Sequence, residues 1–322
     1  MSEPPDELDW IAALRPLTRG AAAALGLMDD VAVLPSRPGF DLVITEDAMV
    51  EGVHFLESEP GDVVARRLLR TNLSDLAAKA AEPFGYTLMT AWPATRPWSD
   101  RQGFIRGLDE DGARYGLTLL GGDTAMTPGP LAVSATLFGW VPGGGAVLRS
   151  GARPGDVLVV CGAIGDGVLG LKAALGQIED PTGALASHFR LPEPLLGLRE
   201  ALRTHAAAAA DVSDGLLIDC AHIAEASGCG VSLDIGLAPI SSAAGGWLTL
   251  QEGRRAAMLE LASGGDDYAL VCATRDGEAL VAAATALGVP AAVIGAFTEA
   301  PGLAVRLDGE AIEPGSLGWR HR

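Results

Sequence analysis

A chain of 322 residues can hold two domains, each with a core of its own, and a composition of 48% hydrophobic and 20% charged residues excludes a disordered or fibrous class. With 41 acidic against 23 basic residues, a formal charge of -18 and no basic stripe, the chain would be repelled by a nucleic-acid backbone. No apolar stretch approaches the roughly 20 residues of a membrane span, and the start Met-Ser-Glu-Pro-Pro-Asp-Glu lacks the basic region and apolar core of a signal peptide, so the cytoplasm is the expected location.

In chain order, residues 40–47 (FDLVITED) read as an apolar strand ending in acids, and residues 61–80 as a helix opened by Gly-Asp. A strand over 84–91, a helix over about 97–114 and strands near 117–120 and 130–141 follow. Pro142-Gly143-Gly144-Gly145 then breaks every periodicity and predicts a domain boundary or a long turn. The pattern restarts with a strand over 156–161, a glycine-rich turn over 162–167 and a helix over about 168–176. Beyond it the periodicity predicts a helix over 214–227, strands over 230–235 and 268–274, a helix over 275–287 and a strand over 290–295. The expected class is α/β or α+β with two lobes, divided as 1–145 and 146–322.

The two lysines, Lys79 and Lys172, do not follow a glycine-rich run, so phosphate chemistry here has to work without a P-loop. Cys161, Cys220, Cys229 and Cys272 show no C-x-x-C spacing and read as buried, reduced thiols. Ser74-Asp75 followed by Gly121-Gly122-Asp123 resembles Ser213-Asp214 followed by Gly264-Gly265-Asp266, with separations of 47 and 51 residues. An old duplication and chance recurrence of short motifs explain that pattern equally well.

The acids Asp29-Asp30, Glu46-Asp47, Asp75, Asp123, Asp211 and Asp214 stand out because they fall at structural breaks, most of them after an apolar strand or beside glycine, not on a solvated helix face. Magnesium takes one or two carboxylates and completes its shell with water and substrate phosphates, which suits single acids from several loops better than a closed cage. Taken one at a time, each acid is also explained as a helix cap or a surface charge. The Gly121-Gly122-Asp123-Thr124 turn could offer backbone N–H groups to phosphate, and a plain tight turn explains it as well. The 162–167 turn precedes a helix, a setting that attracts phosphate, but lacks the full G-x-G-x-x-G pattern.

In order along nearly the whole chain, MDDVAVL (28–34), TEDAMVEGVHF (45–55), NLSDLAA (72–78), GGDT (121–124), LRSGARPGD (148–156), DVSDGL (211–216), SGGDDYAL (263–270) and GWRHR (318–322) resemble the thiamine-monophosphate kinase family. That resemblance implies an N-terminal lobe that binds metal and ATP and dimerises through its sheet, and a C-terminal α/β lobe that completes the active-site cleft. It implies Asp30, Thr45, Glu46, Asp47, Asp75, Asp123, Asp211 and Asp214 as magnesium ligands, with Asp75, Asp123 and Asp214 the most critical. Gly122, Asp123, Arg149 and Ser213 would contact ATP, and His54, Asp266 and Trp319 thiamine monophosphate. Arg149 suits a phosphate fork, and Trp319 offers a flat face to a heteroaromatic ring, with a packing role as the alternative. The helix of residues 61–80 would present Asp75 near its end, with Asn72 one turn earlier orienting its carboxylate.

The chain departs from the family pattern at Glu46, where a hydroxyl residue is usual, at Asp266 for the usual Glu, at Ala269 for another Glu and at Leu195 for Arg. The implied reaction is ATP-dependent phosphorylation of thiamine monophosphate by direct transfer, assisted by several Mg²⁺ ions, in a cytoplasmic homodimer without a nucleic-acid or membrane partner. Two alternatives stand beside it: another ATP-dependent enzyme of the same superfamily with a different acceptor, and a non-catalytic binder of nucleotide or thiamine phosphate. The selenophosphate synthetases of that superfamily need an early reactive Cys or selenocysteine, and no Cys precedes Cys161 here. Its hydrogenase-maturation relative needs a C-terminal Cys, whereas this chain ends Trp-Arg-His-Arg.

Overall fold

The run Pro142-Gly143-Gly144-Gly145 marks the change from one folding unit to another: the chain to Leu76 together with Ala81–Gly144 forms the first, and Ala77–Ala80 with the chain from Gly145 forms the second. The structure is a computed structural model that describes residues 7–57 and 59–319; Arg320, His321 and Arg322 of the GWRHR segment lie outside the described residues.

In the first unit, α1 (Glu7–Leu14) and two short 3-10 turns precede β1 (Phe40–Val50), α2 (Gly61–Ala78), β2 (Glu82–Pro93), α3 (Trp98–Tyr115), β3 (Thr118–Thr127) and β4 (Ala132–Pro142). The sheet order is β1-β4-β2-β3, with β2 and β3 parallel across the α3 crossover and the remaining pairs antiparallel. Alternation along the strands gives the sheet two unlike faces. Tyr86, Leu88, Thr90 and Trp92 of β2 and Val133, Ala135, Leu137 and Val141 of β4 are buried, as are Leu68, Leu69, Leu73 and Leu76 of α2. A Cβ on Gly139 of β4 would sit 3.3 Å from Leu76 Cδ2, which shows how closely α2 lies on that inner face. Trp10, Trp92 and Phe104 meet edge-on or tilted with ring centroids 5.5–6.5 Å apart and close the end of this core. The outer face carries Leu42, Ile44, Phe84, Phe138 and Trp140, the rings of Phe84 and Trp140 stacked at 5.2 Å.

The second unit contains β5 (Val157–Cys161), α4 (Asp166–Ala174), α5 (Ala184–Arg190), α6 (Arg199–His205), β6 (Ala206–Asp211), α7 (Leu216–Ser227), β7 (Gly230–Asp234), α8 (Ser242–Thr249), α9 (Arg254–Ser263), β8 (Leu270–Thr274), α10 (Gly277–Ala286), β9 (Ala291–Thr298), β10 (Gly302–Leu307) and β11 (Glu310–Ile312). Its sheet runs β11-β10-β7-β9-β5-β8-β6 and is covered on both faces. Leu158, Val160, Ala208, Ala210, Val271 and Ala273 pack with Leu216, Leu217 and Ile223 of α7 and Met258 and Leu261 of α9. Val159, Cys161, Ala209 and Cys272 pack on the other side with Leu198, Leu202 of α6 and Leu280, Ala284 of α10. All four cysteines are buried and free.

One sequence expectation changes. Gly121-Gly122-Asp123-Thr124 is not a turn: it lies inside β3, paired with Thr87–Thr90 of β2. A bulge at Leu120 shifts the register, and the pairing with β2 resumes at Gly121 and runs on to Thr127. Residues 206–211 (AAAAAD) are rich in alanine, a helix former, yet they form β6 at a sheet edge, where small side chains fit between two layers of helices. No helix among the described residues is long and apolar enough to cross a membrane.

Candidate functional site

In the first unit, β1 sends Thr45 and Asp47 to the inner face, where they meet α2. Thr45 Oγ1 donates to Asp75 Oδ2 at 2.6 Å, and the Asp47 N–H donates to Asn72 Oδ1 at 3.1 Å. Asn72 is therefore not the residue that orients Asp75: its amide bridges Asp47 N–H and the Leu68 carbonyl (2.9 Å), and Thr45 holds the Asp75 carboxylate. Burial, and after it the negative charge of Asp75, push the Asp47 carboxyl up to about 6, against a hydrogen bond from Thr71.

Glu46 points the other way. As the residue between Thr45 and Asp47 it faces the outer side of the sheet, and its Oε1 accepts from Ser134 Oγ at 2.9 Å. The bulge at Leu120 likewise turns Asp123 outward, opposite Met89, and Asp123 Oδ1 accepts from the Thr124 N–H at 2.9 Å. β1 and β3 are the two edges of this sheet, three strand spacings or about 14 Å apart, so Asp47 and Asp123 do not converge within one copy. Gly122 is demanded by β2 itself: a side chain there would collide with the Leu88 carbonyl. Asp30 is exposed in the loop ahead of β1, which the Val33 N–H fastens to Ala23 O at 2.9 Å.

His54 sits in the turn that follows β1, with Nδ1 accepting from the Val50 N–H at 3.1 Å, an arrangement that leaves the proton on Nε2. Glu51, just past the end of β1, helps to line a cavity of about 530 Å³ together with Glu57, Asp62, Arg96, Asp100 and Arg106. Arg96 bonds Glu51 Oε1 and Asp100 Oδ2, both at 2.5 Å, and so ties the turn to the start of α3. Sequence reasoning did not single out this clasp, whose members come from two separate segments.

In the second unit the assigned residues come together through backbone. Asp211 ends β6 and is buried; Ser213 and Asp214 follow in the loop before α7. The Asp266 N–H donates to Ser213 O (2.8 Å) and the Trp319 N–H to Asp214 O (2.9 Å), so three sequence-distant segments share one loop cluster. Asp266 has φ +68 and Tyr268 φ +51, the left-handed region that side chains seldom occupy, and Tyr268 Oη donates to Asp266 Oδ1 at 3.0 Å. Trp319 is 58% exposed. Arg149 is exposed in the loop before β5, and its carbonyl accepts from Ser227 Oγ at 3.4 Å.

Two buried carboxylates that sequence reasoning passed over support these loops. Asp219 Oδ2 accepts from three consecutive N–H groups, those of Ser213, Asp214 and Gly215, at 3.1–3.2 Å. Burial, then the charge of Asp214, raise its carboxyl to about 6. Asp267 accepts from the N–H groups of Gly165 and Gly167 at 2.9 Å and fixes the glycine-rich turn ahead of α4; burial pushes its carboxyl well above the usual carboxylate range. Their signal was present as Asp within five residues of a glycine turn, but Asp in such places is common.

The paired Ser-Asp and Gly-Gly-Asp motifs are not structural counterparts. Ser74-Asp75 ends a helix and Ser213-Asp214 precedes one; Gly121-Gly122-Asp123 lies in a strand and Gly264-Gly265-Asp266 in a loop. Leu195 and Ala269, two of the departures, flank the same glycine: a Cβ on Gly162 would lie 2.8 Å from Ala269 Cβ and 3.3 Å from Leu195 Cδ1. An Arg and a Glu implied by the resemblance are thus replaced together by two apolar neighbours, a change that strands no lone charge.

Among the described residues no group of three or more His, Cys, Asp or Glu is gathered closely enough to hold a metal ion by itself. The donors at the Thr45–Asp47–Asp75 corner are hard oxygens, and the repulsion between Asp47 and Asp75 is what a divalent cation would relieve. Magnesium, which completes its shell with water and phosphate oxygens, fits this set.

Residues 28–141 match the AIR synthase related protein N-terminal domain and residues 153–308 the AIR synthase related protein C-terminal domain, which defines the class of the chain. It is 56% identical to the thiamine-monophosphate kinase of Caulobacter vibrioides over 99% of this chain and 91% of that protein. It is also similar to the crystal structure of thiamine-monophosphate kinase from Stenotrophomonas maltophilia K279a, at 34% identity and a TM-score of 0.81 over 94% of this chain and 96% of that one. AaThiL complexed with AMPPCP and TMP aligns at 26% identity and a TM-score of 0.79, over 98% and 97% of the two chains. The chain belongs to the thiamine-monophosphate kinase family.

Proposed function

We infer that this chain transfers the terminal phosphoryl group of ATP to thiamine monophosphate, giving thiamine diphosphate and ADP. The observation that carries this reading is the 56% identity to a thiamine-monophosphate kinase along 99% of the chain. An oxygen of the acceptor phosphate, already ionised near neutral pH, attacks the terminal phosphorus as the bond to the bridging oxygen of ADP breaks. A protein general base is not required, so catalysis consists of positioning and charge neutralisation.

In this reading residues 1–145 bind metal and ATP and dimerise, and residues 146–322 supply the remaining contacts. Thr45, Asp47 and Asp75 would hold one magnesium ion, with Asp30, Glu46 and Asp123, and in the second unit Asp211 and Asp214, as donors to others. Bound there, magnesium would neutralise charge on the phosphate oxygens. Arg149, Ser213 and the backbone at Gly122 and Asp123 bind ATP. His54 donates from Nε2 to the acceptor, Asp266 accepts from it, and Trp319 covers its ring.

A second copy of the chain would cover the outer face of the first sheet, where Ile44 is 57% exposed beside Leu42, Phe84, Phe138 and Trp140. Ile44→Lys should convert a dimer to a monomer in light scattering; an unchanged mass would remove this interface. The cytoplasm, where buried thiols stay reduced, is the proposed location. Purified protein given ATP, Mg²⁺ and thiamine monophosphate should form thiamine diphosphate and ADP in equal amounts. Tight binding of both substrates with no product would overturn the kinase reading, and a trapped phosphorylated side chain would overturn direct transfer.

A further inference from the structure

α7 begins without a conventional cap, because Gly215 at its start has no side chain to offer. The first turn supplies a substitute from inside the helix. Asp219 is 1% exposed, and its Oδ2 gathers the N–H groups of Ser213 (3.1 Å), Asp214 (3.1 Å) and Gly215 (3.2 Å). The carbonyls of the same loop are engaged from the opposite side, Ser213 O by the Asp266 N–H and Asp214 O by the Trp319 N–H. One oxygen therefore fixes the direction of three successive peptides, and with them the directions in which the Ser213 hydroxyl and the Asp214 carboxylate leave the backbone. Gly215, at φ +132, lets the chain turn back into the helix.

We propose that Asp219 is a positioning residue for phosphoryl transfer, holding Ser213 and Asp214 in the orientation that engages the nucleotide and its metal. This rests on the kinase reading for what those two residues bind. Its Oδ2 engages backbone N–H groups of the loop and acts through them. Its other oxygen, Oδ1, faces His222 Nδ1 at 3.5 Å, so an asparagine can keep its oxygen on the loop and turn its amide toward the imidazole. An alanine cannot replace either contact. The cap of α10 is a built-in control, because Asp276 accepts from the Ala279 N–H at 3.0 Å in a helix that carries none of the assigned residues.

The experiment compares the wild-type chain with D219A, D219N and D276A by steady-state kinetics at varied Mg²⁺ and ATP, by thermal unfolding and by Mn²⁺ binding in electron paramagnetic resonance. A loop released by an ångström predicts a loss of about 100-fold in kcat for D219A. Loss of the support behind a metal ligand predicts a rise of about tenfold in half-saturating Mg²⁺ and a matching loss in Mn²⁺ affinity. D219N should recover most of both. D276A should lower the unfolding temperature and leave kcat and Mg²⁺ dependence as in the wild type. Folded D219A with wild-type kcat and Mg²⁺ dependence overturns the proposal, and so does a D219N as damaged as D219A. If D219A does not fold, D219S takes its place, its hydroxyl being too short to reach three N–H groups. If the wild-type chain does not phosphorylate thiamine monophosphate, the kinase reading fails by itself. Mn²⁺ affinity then decides this proposal, supporting it if weakened in D219A and overturning it if unchanged.

Discussion

The two units place their acids by different physical means. In the first, Thr45, Glu46 and Asp47 stand on a regular strand, and the period of two sends the middle residue to the outer face and its neighbours to the inner one. In the second, Ser213, Asp214, Asp266 and Trp319 lie on loops, and their directions are set by backbone hydrogen bonds to one another and to Asp219. A strand places side chains by register, so a local change of one residue reverses the face. A loop cluster places them by a network, so loss of one support loosens several residues together.

The largest expected effect separates the two regimes most sharply. Asp75→Asn keeps the shape of the side chain and a partner for Thr45 Oγ1, so unfolding temperature should change little. Activity should fall about 100- to 1,000-fold at any Mg²⁺, the scale of removing one electrostatic contact to the transition state. Near-normal turnover with unchanged metal dependence would mean the strand-and-helix corner is structural. The next effect tests register directly: Asp47→Asn should cost far more activity than Glu46→Gln, since the glutamine side chain keeps an acceptor oxygen for Ser134 Oγ on the outer face. Equal losses from both would show that the two faces contribute alike to catalysis.

Much of this was legible in the sequence where periodicity and local chemistry agree. β1, β2, β4 and the helix carrying Asp75 follow from pattern alone, whereas β3 runs on past the Gly121-Gly122 pair where the pattern ends it. What could not be read depends on partners far along the chain. Ala206–Asp211 favours a helix in isolation and becomes a strand because β8 lies beside it. The direction of Asp123 is reversed by one bulge residue, Leu120, which looks like any other leucine of its strand. Arg96, Asp219 and Asp267 act through backbone groups and side chains brought close by folding, and nothing in their local sequence distinguishes them from surface charges. The resemblance implied a set of site residues, but not which of them meet.

Trp319 tests the loop regime at a smaller magnitude. It is exposed, and its backbone N–H rather than its ring is what ties it to Asp214. Trp319→Ala keeps that N–H, so the Asp214 loop should hold and ATP binding should be nearly unchanged. Loss of ring stacking worth about 0.5–1.5 kcal/mol should weaken thiamine monophosphate binding roughly threefold to tenfold. Calorimetric titration of each ligand, with a non-hydrolysable ATP analogue, reads the two separately. Equal weakening of both would place the tryptophan in the loop's support instead of in the acceptor site.

The smallest effect sharpens the comparison through pH. Asp267 supports the turn at Gly165 and Gly167 from a fully buried position, and burial raises its carboxyl well above the usual carboxylate range. A raised carboxyl in the folded state means that the folded chain holds a proton the unfolded chain has already released. Between the unfolded and folded values the unfolded state binds fewer protons, so the contribution of Asp267 to stability is fully present below the ordinary carboxylate range and declines as pH rises toward the folded value. Asp267→Asn keeps an acceptor oxygen for the two glycine N–H groups and removes the titration. The variant should therefore show a flatter dependence of unfolding temperature on pH, gaining on the wild type as pH rises above the ordinary carboxylate range. If the gap between the two proteins stays constant over that range, Asp267 titrates as an ordinary carboxylate. Its hold on the turn would then rest on an ionised group compensated by the glycine N–H groups alone.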